Sequence, residues 1–370
     1  MKIVYLDSGR MPTEKAHGYQ IMKMCESMAS LGHEVTLVVS SRRNPIKTDP
    51  FEFYGLEKNF AFRRLPSIDI VNIFPKFGTW LSRLSFLVSA KIYLMLKKYD
   101  LLYLREHMSG LFFNDFLIET HSLPKSIGRR DFRVWQRAKK IAVTTPFIKE
   151  KLEHAGIEVR KIIVAPDAVD SKVFGIELSK EEARKQLGLP INQTLLGYTG
   201  SLKTKEMEKG IADVLRALKN LPENMRFIAV GGLERHIREY KTLAQNLGVW
   251  KKAQFIHRVP PDKLAVYQQA FDCLLLPFPN KEHYAYFASP LKMFEYMASG
   301  RPIVSTDLPS IREVLNDKNA VLVQPDSPSD LARGINTVLT DAKLADRIAS
   351  QAKKDAGLFT WENRAKIILQ

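Results

Sequence analysis

Short apolar runs alternate with segments of helical spacing along this chain, and the alternation constrains the fold more than any other feature. It opens with an apolar strand at residues 3–6, a loop of polar and small residues at 7–18, a helix from about 19 to 31 and a second apolar strand at 35–39. The helix sets Met22, Cys25, Met28 and Ala29 at helical spacing and stops on Gly32, which suits the left-handed residue that ends a helix. Strands that are apolar throughout must be covered on both faces. The pattern therefore predicts an α/β protein with a parallel, doubly wound sheet.

The same alternation continues through strands at 101–104, 116–120, 140–144 and 161–164, and then begins afresh with a strand at 195–198, a helix at 211–218, and strands at 227–230 and 253–256. A chain of 370 residues exceeds the roughly 250 to 300 at which one core stops growing. Two sheets in series are expected: a first domain over 1–173, a second over 174–357, and a closing helix over 358–370 that could pack back on the first. The join falls near 170–179, ahead of a polar helix near 180–187. One span is atypical. About ten residues separate the strands at 101–104 and 116–120, whereas a parallel crossover usually needs a dozen or more, which leaves the fold of 105–140 open.

The start of the chain shows no charged region, apolar region and cleavage site of a signal peptide, and Cys25 and Cys273 lie far apart in apolar segments. A cytoplasmic protein with two buried thiols is expected. The most apolar stretch, 80–96, is interrupted by Arg83 and Lys91 and is not a membrane span. The formal charge of +16 calls for an anionic partner. There is no RNA-binding aromatic motif, zinc module or concentrated basic helix, so nucleic acid is not the expected one. No Asp-x-Asp pair and no His/Cys cluster with ligand spacing occurs, so no metal cofactor is expected.

Residues 289–302 are the most informative stretch: Ser-Pro-Leu-Lys-Met-Phe-Glu-Tyr-Met-Ala-Ser-Gly-Arg-Pro. Ser289 suits a helix N-cap, Pro290 the first helical position, Gly300 the left-handed end, and Pro302 prevents continuation. The helix follows the apolar strand at 273–276, so its start should face the crevice at the carboxyl ends of the strands, where free amides and the helix dipole favour a phosphate around Ser289, Pro290 and Leu291. Glu295 lies six residues further, roughly 9 Å along the axis, and its carboxylate can accept both hydroxyls of a ribose. Lys292 would be a neighbouring phosphate or sugar contact, although a solvated Glu–Lys pair has the same spacing.

A second constellation begins at Gly197-Tyr198-Thr199-Gly200-Ser201-Leu202 and continues through Lys203, Lys205 and Lys209-Gly210 into a helix. Glycines admit a ligand close to the backbone, and lysines neutralise charge building on a departing diphosphate. In the first half, His17-Gly18 lies ahead of the first helix, and His121 stands at the carboxyl end of the strand at 116–120.

With these residues in view, the chain resembles the retaining family-4 glycosyltransferases of the GT-B fold, known as glycosyl transferases group 1. Glu295 with Met297-Ala-x-Gly300-x-Pro302 looks like that family's second acidic residue and its continuation, and Phe359-Thr-Trp361-Glu362 resembles its C-terminal signature. The resemblance implies two Rossmann-like domains whose parallel sheets face each other across a cleft. It also implies that Glu295 holds the donor ribose, that the amides around Ser289, Pro290 and Leu291 hold the distal phosphate and sugar, and that Lys209 meets the diphosphate. Val259 would offer its backbone to the nucleobase, Ala16-His17-Gly18 would form the loop beneath the sugar, and His121 would lie near the reaction centre. Three positions depart from the pattern. Phe287 stands where the family has another glutamate; Ser201 stands where an arginine is expected, with Lys203 or Lys205 as substitutes; and Asp167-Ala168 replaces the usual Asn-Gly.

The expectation is a metal-independent transferase that moves a sugar from a UDP- or GDP-type donor to a hydroxyl of a glycan or lipid-linked acceptor, with retention. His121 and Lys209 would act at the reaction centre. Phe60, Phe62, Arg63 and Arg64, with Ile73, Phe74, Phe77, Trp80 and the amphipathic stretch to Lys98, would face the acceptor and could rest on the inner face of an anionic membrane. The alternatives are a sugar-nucleotide epimerase of the same fold, a nucleotide-sugar-binding protein without activity, and a basic nucleic-acid binder.

Overall fold

A computed structural model of the chain describes residues 1–204 and 206–370. It divides into two compact units, one made of Met1–Pro166 with Trp361–Gln370 and the other of Asp167–Thr360.

The first unit is built on seven strands: β1 (Lys2–Asp7), β2 (Glu34–Ser40), β3 (Ala61–Leu65), β4 (Leu101–Leu104), β5 (Phe116–Thr120), β6 (Lys140–Val143) and β7 (Ile162–Val164). Their order across the sheet is β3-β2-β1-β4-β5-β6-β7, all parallel. Ile3, Val4, Tyr5 and Leu6 are all buried, as a strand covered by helices on both faces must be. The chain reverses direction across the sheet between β1 and β4, which makes the carboxyl ends of these strands a topological switch point.

Several expectations change here. The first helix spans Ala16–Ser30, so Ala16, His17 and Gly18 form its first turn and not a loop. Gly18 is required by packing, because a Cβ there would lie 2.1 Å from the Tyr54 hydroxyl. Residues 61–65, read as part of an exposed aromatic and basic surface, are the edge strand β3. Phe60 is buried against Phe51, ring centroids 4.8 Å apart, while Arg63 and Arg64 put charge on the sheet edge, where it deters further pairing. The short link between β4 and β5 is real: both strands pair in parallel, and a single 3-10 turn, His107–Leu111, joins them. The close approach depends on Gly110, where a Cβ would fall 2.5 Å from Val134 Cγ1.

The closing helix, Trp361–Leu369, completes this unit. Trp361, Arg364, Ala365 and Ile368 are buried, and the Trp361 ring meets Tyr19 of the first helix edge-on at 6.4 Å.

The second unit holds β8 (Thr194–Thr199), the short antiparallel hairpin β9 (Lys203–Thr204) and β10 (Met207–Glu208), then β11 (Met225–Gly232), β12 (Ala253–His257), β13 (Cys273–Leu276), β14 (Ile303–Thr306) and β15 (Val321–Val323). Its parallel sheet runs β12-β11-β8-β13-β14-β15, with the switch point between β8 and β13. The join between units falls after Pro166, a few residues before the expected position. The reason lies in tertiary contacts: the Asp167 amide donates to Ser289 Oγ at 2.9 Å, Val169 bridges to Thr360, and Phe174 enters the second core. The polar helix Lys180–Leu187 is anchored there too, since buried Arg184 and the Leu195 amide share the Asp272 carboxylate.

Candidate functional site

In the second unit three glycines crowd the carboxyl ends of β8, β11 and β13. Gly200 and Gly231 have φ of +103° and +115°, and a Cβ on Gly231 would sit 2.8 Å from the Gly200 backbone. Gly210, at φ +85°, passes so near Pro277 that a Cβ would be 1.6 Å from its carbonyl oxygen. No other residue fits these positions, and the backbone they expose forms the floor of the site.

Two lysines stand over that floor. Lys209 is buried and donates to Ser201 Oγ at 2.8 Å. Lys292 is buried with its Nζ lying 3.5 Å from the centre of the Tyr198 ring and 3.2 Å from where a Gly200 Cβ would be. Its Nζ has no hydrogen-bond partner among the described residues. Burial, then repulsion from Lys209, pushes the Lys292 ammonium well below the lysine range, while Glu295 opposes the shift. Burial alone pushes Lys209 down to about 8. An enclosed ammonium relieved by one neighbouring carboxylate is costly, and an anionic ligand would offset that cost.

Glu295 is partly buried on the helix Leu291–Ser299 and raised to about 7, mainly by burial. Gln268, which sequence reasoning overlooked, links it to the floor: its Nε2 donates to Glu295 Oε2 at 3.3 Å and to Thr199 Oγ1 at 3.2 Å. The Thr199 amide donates to the Tyr296 hydroxyl at 2.7 Å, so this helix is pinned to the end of β8.

The start of the same helix differs from expectation. Pro290, extended at φ −79° and ψ 125°, occupies the N-cap position, and Leu291 is the first helical residue. Ser289 does not cap, because its hydroxyl is already taken by the Asp167 amide. No side chain caps the helix, which leaves its first amides to a ligand or to water. Gly300 does close it in the left-handed conformation, and β14 follows Pro302.

Lys203 is engaged elsewhere, in an ion pair with Glu239 and 5.8 Å over the Tyr240 ring. Lys205 lies outside the described residues. Val259 follows β12 and packs its side chain against the core. Phe287 ends a single π-helical turn, His283–Phe287, just before the site helix.

In the first unit, His121 directly follows β5 and is held by the Glu119 carboxylate. Glu119 is buried and also accepts from the Tyr103 hydroxyl at 2.6 Å, Arg105 Nη1 at 3.2 Å and Arg364 Nη2 at 2.9 Å. Burial opposes its ionisation, but Arg364, Arg105 and His121 prevail and hold it well below the carboxylate range. Arg105 reaches on to Gln20 Oε1 at 2.6 Å. His17 is pushed down to about 4 by burial, then by Arg105, Lys15 and His121, so it is a neutral imidazole at neutral pH. Asp7, at the end of β1, is raised to about 7 by burial and by Glu106. The strand-end position of Arg105 and Asp7 was the available signal for both; Arg364 had none, since its role depends on the return of the closing helix.

Comparison with known proteins fits the second unit best. Residues 179–355 match the family described as glycosyl transferases group 1. Every site residue named above from the second unit, apart from Asp167, lies in this group 1 segment. The D-inositol 3-phosphate glycosyltransferases of Corynebacterium urealyticum and Xylanimonas cellulosilytica are 28% and 27% identical over 225 and 238 residues, covering 58% and 62% of this chain but 51% and 55% of theirs. The chain thus spans about half the length of the curated relatives it matches. Among solved structures, sucrose-phosphate synthase from Thermosynechococcus elongatus superposes with a TM-score of 0.79 at 19% identity, over 99% of this chain and 96% of that one. Anabaena HepE in complex with UDP gives 0.73 at 19%, over 100% and 98%. Likeness at this identity speaks to the fold alone, and the fold is GT-B.

Proposed function

We propose that this protein is a glycosyltransferase that takes a sugar from a nucleoside diphosphate sugar and passes it to a hydroxyl acceptor with retention at the anomeric carbon. The observation that carries the reading is the unpartnered ammonium of Lys292 beside Lys209, over a glycine floor at the switch point of the second unit. Lys209, Lys292 and the open helix start would hold the diphosphate and stabilise it as it departs, a task that needs positive charge in place before the bond breaks. Glu295, steadied by Gln268, would take the ribose hydroxyls. The UDP complex of the similarly folded Anabaena protein supports a uridine nucleotide as the first to try. His121, braced by Glu119, is proposed as a further group acting in the transfer.

A thermal-shift series with UDP, GDP, ADP and CMP and their sugars tests the donor site, because a ligand of the native state raises its melting temperature. One nucleoside diphosphate should stand out, and Glu295→Ala should lose most of that shift. Stabilisation by none, or an unchanged response in the variant, defeats the assignment.

We propose further that the chemistry uses no metal, the lysines serving in its stead; activity unaffected by EDTA is the expected result, and activity restored only by a divalent cation would refute it. The acceptor is proposed to be a glycan or lipid-linked hydroxyl approached at a membrane surface. The helix Pro75–Met95 buries Ser82, Phe86, Ala90 and Leu94 on one side while Phe77, Trp80, Val88, Ile92 and Met95 stand more than half exposed along the other. An apolar stripe of that length, with Lys76 and Lys91 nearby, suits a helix lying in an anionic interface. No described helix is long and apolar enough to cross a membrane.

A further inference from the structure

A second basic feature lies in the first unit and is lined by none of the site residues assigned above. Three loops that leave the carboxyl ends of β1, β2 and β3 enclose a cleft of about 670 Å³ lined by Arg10, Arg42, Arg43, Lys47, Asn44 and Asp69, among others. Crevices at the carboxyl ends of parallel strands are where α/β sheets bind ligands. The loops are tied together. Ser40 and Ser67 hydroxyls meet at 2.6 Å, the Arg43 amide donates to Asp69 Oδ2 at 2.8 Å, and Asn44 Nδ2 donates to the Pro12 carbonyl at 2.7 Å.

The charge in the cleft is unbalanced. Four cations line it against one carboxylate, Asp69. Arg10 is paired with Glu14, its Nη2 donating to both carboxylate oxygens. Arg42 Nε lies 3.9 Å from Asp69 Oδ1, too far to hydrogen-bond, and is buried with no hydrogen-bond partner among the described residues. Arg43 and Lys47 make no side-chain ion pair among the described residues, and both are exposed. A buried guanidinium donor left unmade, next to two uncommitted cations in a preformed cleft, matches a compact oxyanion with several acceptor oxygens.

We propose that this cleft binds a phosphate group, and that it thereby selects an acceptor bearing a phosphate ester. Arg42 would donate from within the cleft, and Arg43 and Lys47 from its rim. The acceptor role rests on the glycosyl-transfer reading; the binding of phosphate does not.

The test measures binding by the full chain, at one fixed ionic strength because charge contacts are screened by salt. Glycerol 3-phosphate is titrated calorimetrically into the parent and into the double variant Arg43→Glu, Lys47→Glu; both positions are exposed, so the fold should persist, and an unchanged affinity for UDP confirms that it has. Lys47→Glu alone serves if the double variant does not fold. A parallel arm uses vesicles of phosphatidylglycerol with phosphatidylcholine. Glycerol 3-phosphate binding that weakens by about tenfold or more in the variant, as loss of charge-assisted hydrogen bonds should cause, supports the site with a soluble phosphate ester. Vesicle binding alone, weakened in the variant, supports it with a lipid headgroup. No binding of either, or binding of equal strength in parent and variant, overturns the proposal and leaves the donor site standing if UDP still binds.

Discussion

Lys292 is the residue at which stability and function oppose each other. Its ammonium is enclosed by Tyr198, Phe278 and the glycine floor, with no hydrogen-bond partner among the described residues. A buried cation without a hydrogen-bond partner costs stability that an apolar side chain of similar length does not. Lys292→Met should therefore raise the urea midpoint while abolishing the thermal shift given by UDP. A variant that is both less stable and still responsive would show that the ammonium is already satisfied. Lys209 sets the pH dependence. Its pKa is depressed to about 8, and the protonated form is the one that attracts a diphosphate. Through this group, affinity should fall above pH 8 by up to about tenfold per pH unit, the limit for one linked proton. The unliganded protein should move the opposite way: a lowered lysine pKa penalises the protonated fold, so stability rises as pH climbs from about 8 toward the unfolded lysine value. Calorimetry of UDP binding in buffers of different ionisation enthalpy should also show proton uptake near and above pH 8.

Among the elements, the closing helix Trp361–Leu369 depends on one carboxylate. Glu119 joins β5 to this helix through Arg364 while holding Arg105 and His121 in place. Removing a partner from a buried charged network typically costs about 3 to 5 kcal/mol, because the remaining charge stays buried. Arg364→Ala should lose about that much stability in urea unfolding and expose the closing helix to proteolysis. Loss of less than about 1 kcal/mol would mean that Arg105 and Tyr103 suffice. Elements of this kind show what a sequence discloses. The strands at 101–104, 116–120 and 273–276 were readable to the residue, since three or four consecutive apolar side chains that start directly after an aspartate leave little freedom of register. Strand β3 was hidden because Arg63 and Arg64 interrupt its apolar character, which only an edge position permits. The hairpin β9–β10 pairs two residues with two, too few to make a pattern. Ser289 had the chemistry of a cap, but a contact 122 residues away in sequence claimed its hydroxyl, and no local rule contains that competitor. The same holds for Gln268 and Arg364, which reach their partners only through the fold.

At the scale of the molecule, an excess of 16 positive charges sets the conditions under which any anionic surface is met. If the exposed stripe of the Pro75–Met95 helix rests on a membrane, cosedimentation with anionic vesicles should be strong at low salt and weaken as the Debye length shrinks to about 8 Å at physiological ionic strength. Trp80→Ser should then reduce binding at every salt concentration, because it removes apolar contact and leaves the charge, and so the Coulomb part of the attraction, unchanged. Sedimentation indifferent to Trp80 would assign the interaction to charge alone. The division of the chain has a consequence for biosynthesis. The first unit is interrupted: its sheet is complete by Val164, yet the helix that supplies Arg364 is made only after all of Asp167–Thr360. A nascent chain paused anywhere in that interval carries Glu119 without one of its two arginines, so the unit made first should be the last to lose its protease sensitivity.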